Sequence, residues 1–354
     1  MWLLVGVTHI PPLSEPTRLQ PTTPTATSIP LPTELQEAQQ DIWSSCWSKD
    51  TLRVYGTQRA KWMEFCTRFQ RSLADLSPSN LIDYITYLAS IGKTGSPLAY
   101  STIKAYLDFL GRAMSYMVPG APNPVCHPEV QLFLRGTARR LGKKVEKAEP
   151  CQLDHLRALT RWALQNLHDL TAQTVAMVAL FAFWGCLRLG SLVPKTPDKL
   201  PRLVCLGDVR LLDSAVILVV RASKTIQFAD RTHPVELPAQ EDPLLCPRQA
   251  FNRWILLSPP RSSQTPLCAL SSTTGKMLSH SKFVQLVNLH TRPLPALTGH
   301  SFRRGFVRMA FIRGVPIWQI MHHGDWKTLE VAMAYAEDSL MPNPLGVLPR
   351  EEAL

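Results

Sequence analysis

The stretch "TVAMVALFAFWGCL", residues 174–187, contains no charged side chain. A helix made from it is apolar on every side, and such a helix is stable in water only inside a core. It is too short to span a bilayer, which takes about 20 apolar residues, and it runs straight into Arg188. The segment predicts a globular domain built around one buried helix, with a guanidinium at the edge of that core. An arginine so placed carries a desolvation cost unless an anion or a carboxylate meets it.

The pattern along the chain of 354 residues divides in two. Residues 1–40 are rich in proline and threonine without an apolar period, which predicts a disordered tail. The opening "MWLLVGV" is too short for a span and has no basic residues before it, so neither signal peptide nor anchor is expected. From Ser48 onward Leu52, Tyr55, Trp62, Phe65 and Phe69 recur at helical spacing, with Ser48 and Asp50 available as caps. Three more helices follow, in "SPSNLIDYITYLASIG", "YSTIKAYLDFLGRAMSYMVPG" and "HPEVQLFLRGTARRLGKKVEK". Together they predict a four-helix domain over 41–147. On the fourth, Arg135, Arg139, Lys143 and Lys147 fall at intervals of four and share one face, with Arg140 beside them.

A charged linker ends at Pro150, and a second domain over 151–340 is expected, followed by a tail over 341–354. Two helical segments lead into β-branched runs, "VRLLDSAVILVV" and "HPVELP", with a turn at Asp213-Ser214, before helical periodicity returns. The fold class is therefore mainly α, with a small antiparallel β-sheet in the second domain.

Lysine and arginine outnumber aspartate and glutamate 38 to 27, a formal charge of +11. A surplus of that size favours a polyanionic partner, nucleic acid first and an anionic membrane surface second. The eight cysteines include no C-x-x-C pair, which argues against a structural zinc site and a disulfide framework. A soluble intracellular protein without metal or cofactor is expected.

His300 and Arg303 lie one turn apart in "GHSFRRGF", a pairing that suits a phosphate oxygen. With Arg188, with Lys224 in "RASKTIQF", and with Trp326 and Tyr335 in "HHGDWKTLEVAMAY", they form an ordered series. In that order the six resemble the active site of the tyrosine recombinases, the phage-integrase family. Its motifs are matched by "WGCLRLGSL", "ASKT", "LTGHSFRRGF" and "IMHHGDWKTLEVAMAY", including the nine-residue spacing from Trp326 to Tyr335. The first domain is similar to the family's SAM-like core-binding domain, so the resemblance covers roughly residues 45–340. The H-x-x-R wording and Trp326 look most like the DIRS/Ngaro or Crypton type of mobile-element enzyme.

The resemblance implies a site-specific recombinase that cleaves and rejoins double-stranded DNA through a 3′-phosphotyrosyl bond at Tyr335, without metal or ATP. A free phenol has a pKa near 10 and is ionised about once in a thousand at neutral pH, so its attack needs help. By resemblance Arg188 and Arg303 hold the phosphate, Lys224 protonates the leaving oxygen, His300 assists proton transfer, and Trp326 packs on the site. Arg135, Arg139, Arg140, Lys143, Lys147 and Arg304 are expected to face DNA. A tetramer on DNA, two protomers to a site, is also implied, and nuclear residence if the host is eukaryotic. One departure stands out: where the family has a glutamate three residues after the first arginine, this chain has Ser191. Three rival readings stay open: a domesticated DNA-binding relative that no longer cuts, a type IB topoisomerase, and a helical interaction protein with a basic surface.

Overall fold

A computed structural model describes residues 33–90, 97–142, 148–223, 225–226, 231–257, 262–271 and 275–336. Lys143, Lys147, Lys224 and the expected tail over 341–354 lie outside the described residues. The chain divides into two compact units, Met1–Val145 and Glu146–Leu354.

Among the described residues the first unit is all helical: α1 (Thr33–Ser45), α2 (Lys49–Arg68), α3 (Pro78–Ser90), α4 (Tyr100–Met117) and α5 (Pro128–Leu141). The tail expected over 1–40 is corrected at its end, where α1 begins at Thr33. The physical reason is local: after Pro32 the sequence "TELQEAQQ" consists largely of good helix formers, with Glu34 at the positive end of the dipole. α2 starts where its cap predicts, the Ser48 side chain accepting from the Thr51 N–H at 3.2 Å. Tyr55, Trp62 and Phe65 bury their rings, whereas Leu52 and Phe69 at either end of the stripe are exposed. Trp62 anchors this core, edge-on to Tyr84 at 4.8 Å, with its indole N–H donating to the Leu73 carbonyl. α5 buries Val130, Leu134 and Thr137 and leaves Arg135, Arg139 and Arg140 exposed.

The second unit is wound around the apolar segment. α6 (Leu153–Gln165) leads to α7 (Leu170–Trp184), in which every residue from Ala172 to Trp184 is buried. Its few polar groups are all satisfied: Thr174 receives the Trp254 indole N–H at 3.0 Å, and the Trp184 indole donates to the Leu245 carbonyl at 2.8 Å. α8 (Pro247–Leu257), α9 (His280–His290) and α10 (Ser301–Ile312) pack around α7. α11 (Ile317–His323) and α12 (Leu329–Ala336) follow. β1 (Val209–Leu211), β2 (Ala215–Val220) and β3 (His233–Pro238) form an antiparallel sheet in that order, with Val209 opposite Leu218 and Val220 opposite His233. α8 packs against β2 and β3.

Gly305 allows α10 to lie directly on the backbone at Cys151, whose N–H donates to the Ser301 carbonyl at 2.8 Å. A Cβ at 305 would overlap the Cys151 carbonyl oxygen and stand 2.8 Å from its carbon. Backbone on both sides cannot yield cheaply. Gly305→Ala is therefore expected to cost on the order of 1–3 kcal/mol. In a thermal melt of the full chain, the transition of the second unit should fall by roughly 2–12 °C.

Candidate active site

Three helix ends build the site. α7 ends in a Schellman arrangement: the Cys186 N–H donates to Phe183 and the Leu187 N–H to Ala182, with Cys186 in the left-handed region at φ 47°. α11 ends in the same way: the Asp325 N–H donates to His322 and the Trp326 N–H to Met321, with Asp325 at φ 54°. Glycine is the usual residue at such a position, as Gly314 is at the end of α10. Cysteine and aspartate at the other two ends hold a costlier backbone.

Arg303, 3% exposed, projects from α10 between these two ends. Its Nη1 donates to the Cys186 carbonyl at 2.8 Å, and its Nη2 donates to the Gly324 carbonyl. Both acceptors sit at the negative ends of helix dipoles, so a buried cation is held without a carboxylate. The Trp326 ring lies over the guanidinium, 3.8 Å from centroid to carbon, and the Tyr335 ring stands at 5.8 Å. Trp326 and Tyr335 are themselves in contact, with centroids 5.3 Å apart. Arg303 Nε is buried and has no partner among the described residues.

Arg188 follows directly from the α7 end and opens the short 3-10 turn Leu189–Ser191. Its carbonyl accepts from the Ser191 N–H at 2.8 Å, while its guanidinium makes no hydrogen bond or ion pair with a described residue. Burial first, then repulsion from Arg303, lowers its pKa, while the Tyr335 phenol and Asp325 favour the charged form. Arg188, Arg303, Ser191, His233, His323 and Asp325 line one small pocket that is open to solvent. Among the described residues, two guanidinium groups there meet one carboxylate, which is already bonded to Thr225 and Arg231, so positive charge is left over.

His300 caps α10 and is exposed. Partial burial of its ring, then Lys195, Arg303, Arg188 and Arg304, hold its pKa below the ordinary imidazole value. It is therefore neutral near pH 7 and able to accept a proton. Asp325 is pushed up by burial but pulled down further by hydrogen bonds from Thr225 and Arg231, so its carboxylate is ionised.

The structure thus places Arg188, Arg303, Trp326 and Tyr335 together, with His300 close enough to both arginines to feel their charge. Lys224 lies outside the described residues, although its neighbours Ser223 and Thr225 border the site. Arg304, expected to face DNA, is corrected: it is 8% exposed and packs inward. On α10 it falls within Ser301–Gly305, five consecutive buried residues that span more than one turn, so this end of the helix is covered on every side. His323, the last residue of α11, also reaches the site. Its ring lies 2.8 Å from the Trp184 carbonyl and stacks on Phe306. Sequence reading did not find His233 or Asp325. The "GD" before Trp326 was the available signal for Asp325, since a helix ending at Gly324 leaves the next residue in the left-handed region.

No protein-family model matches the chain, and no curated protein matches it by sequence. Solved structures do. An integrase of the transposon Tn1549, in complex with a circular-intermediate DNA, is similar with a TM-score of 0.54 at 14% identity, over 84% of this chain and 92% of that one. A lambda integrase dimer bound to a COC′ core site gives a TM-score of 0.54 at 15% identity, over 90% and 98%. XerH site-specific recombinase in a post-cleavage complex with a palindromic difH substrate gives 0.56 at 13%, over 82% and 76%.

The chain has the tyrosine recombinase fold. In this chain's version of it, Gly324 is as constrained as Gly305. A Cβ there would overlap the Trp326 ring that covers Arg303.

Proposed function

We propose that the protein is a site-specific DNA recombinase that cleaves and rejoins duplex DNA through a covalent bond to Tyr335. One observation carries this reading: two arginines, Arg188 and Arg303, line one pocket, and the ring of Tyr335 stands 5.8 Å from the Arg303 guanidinium. The fold supports it, because the similar integrases and XerH are seen on DNA, XerH after cleavage.

In the proposed reaction the Tyr335 oxygen attacks the scissile phosphorus. The P–O(Tyr) bond forms as the bond to the 5′ oxygen breaks. His300 takes the phenolic proton, and Lys224 gives one to the departing 5′ oxygen. Arg188 and Arg303 offset the charge that grows on the non-bridging oxygens. Each Nη of Arg303 gives one N–H to a main-chain carbonyl, which leaves a second N–H on each and the N–H of Nε for phosphate oxygens. Trp326 holds the guanidinium plane in place. The exposed arginines 135, 139 and 140 on α5 suit the DNA backbone, and Lys143 and Lys147 extend that stripe in sequence. Action as a tetramer, with a dimer on each site, belongs to the same proposal. So does the DIRS/Ngaro or Crypton affinity read from the H-x-x-R box and Trp326, with nuclear residence in a eukaryotic host.

The test is incubation of the full chain with nicked suicide DNA substrates, from a randomised library or from an element's own termini, followed by a denaturing gel and mass spectrometry. A DNA adduct on Tyr335 is expected. Salt-sensitive binding with no adduct on any substrate would leave a DNA-binding module of the same fold.

The rate should also carry a pH signature. His300 has a lowered pKa, so its neutral form predominates at neutral pH and is lost as pH falls through that value. Adduct formation should be flat from about pH 7 to 8 and should decline with a midpoint below the ordinary imidazole value. His300→Gln should remove this acid limb along with most of the rate.

A further inference from the structure

We propose that Asp325 is a positioning residue that ties both ends of the β2–β3 connection to the arginine pocket. The inference rests on the recombinase reading for its catalytic consequence, but its structural basis is independent. Asp325 Oδ1 accepts from Arg231 Nη2 at 2.7 Å, and Oδ2 accepts from the Thr225 hydroxyl. Thr225 comes five residues after the end of β2, and Arg231 two before the start of β3. One carboxylate, 16% exposed, therefore holds the chain as it leaves one strand and as it enters the next.

The partners are secured in turn. The Thr225 hydroxyl lies 2.8 Å from that of Ser223, and the Thr225 N–H donates to Ser223 Oγ at 3.1 Å. His233, at the first position of β3, is 3.2 Å from the His323 carbonyl through its Nε2. On the other side, Asp325 is flanked by the two residues that hold Arg303: Gly324 by its carbonyl and Trp326 by its ring. Three consecutive residues thus fix Arg303 and the strand connection in one frame. Among the described residues, Asp325 is also the one acidic side chain lining the pocket shared by Arg188, Ser191 and Arg303. A purely local role would need neither the left-handed backbone at 325 nor contacts to both flanks of the connection.

The catalytic consequence follows from covalent order. Thr225 is the residue after Lys224, so loosening Thr225 loosens the group proposed to protonate the 5′ oxygen. Asp325→Asn tests this with little disturbance, because asparagine has the same shape and tolerates the left-handed region. Two nicked substrates separate the roles: one with the natural 5′ oxygen at the scissile link, and one with sulfur in its place, which leaves as a thiolate without a proton.

With the full chain, Asp325→Asn is expected to slow adduct formation on the oxygen substrate by on the order of 100-fold. On the sulfur substrate it should stay within a few-fold of the parent, and DNA affinity should be unchanged. Equal slowing on both substrates, or no slowing on either, would overturn the proposal. Thr225→Val removes one arm and keeps the charge, and should give a smaller defect with the same dependence on the leaving atom. If the asparagine variant does not fold, this one decides. Hydrogen exchange on the DNA-free protein gives a readout that does not depend on cleavage. Amides of 220–226 and 231–235 should exchange faster in Asp325→Asn while those of α7 do not, and unchanged exchange refutes the tether. A parent protein that forms no adduct with either substrate refutes the recombinase reading instead.

Discussion

Tyr335→Phe forms no covalent adduct with nicked DNA, while its affinity for the same duplex stays within about twofold of the parent: this is the largest single effect expected. The substitution removes one oxygen. The ring that touches Trp326 at 5.3 Å and stands over Arg303 at 5.8 Å is kept, so the packing around the buried guanidinium should survive. Of the other described tyrosines, Tyr55, Tyr84 and Tyr87 are buried in the helical core of the first unit, and Tyr100, Tyr106 and Tyr116 lie on α4 of that unit. Denaturing gels with end-labelled substrate read the adduct, and a filter-binding titration reads the affinity. An adduct that persists in the phenylalanine variant would assign the nucleophile to another residue.

Arg303→Lys is expected to lower adduct formation by on the order of 100- to 1000-fold, the usual effect of removing one donor aimed at a transition-state oxyanion. Charge is conserved, so the effect isolates shape. A guanidinium reaches the Cys186 and Gly324 carbonyls at once and lies flat under the Trp326 ring. An ammonium is a point donor that cannot do all three. A buried carbonyl left without its donor costs about 1–3 kcal/mol, so the variant should also melt earlier. Single-turnover rates taken well below the new melting temperature, with DNA affinity measured alongside, separate the catalytic loss from the structural one. A variant with the parent's rate would remove Arg303 from the phosphate site.

The sequence made the framework plain where one local pattern sufficed. An unbroken apolar run could only be the central helix, Ser48 capped α2, and Asp213-Ser214 turned β1 into β2. Arg188, Arg303, Trp326 and Tyr335 could be picked out because their spacing is fixed by a known order of motifs. What stayed hidden depends on contacts between distant segments. The amphipathic pattern of α10 does not reveal that Arg304 is buried, because the first turn is enclosed by segments distant in sequence. Asp325 meets Thr225 and Arg231 only after about a hundred intervening residues have folded. α1 was missed for the opposite reason: its helix formers are local, but without an apolar period they read as part of the proline-rich tail.

The anchoring of Arg303 has a consequence for how this site tolerates mutation. Its two fixed acceptors, at Cys186 and Gly324, are carbonyl oxygens of the main chain. Every residue type carries such an oxygen, so exchanging the side chain at position 186 leaves the acceptor in place. What must be inherited is the direction in which α7 and α11 end, and many sequences can encode that. The arginine is thereby insulated from drift in its surroundings, and a search that compares letters sees little of what holds it.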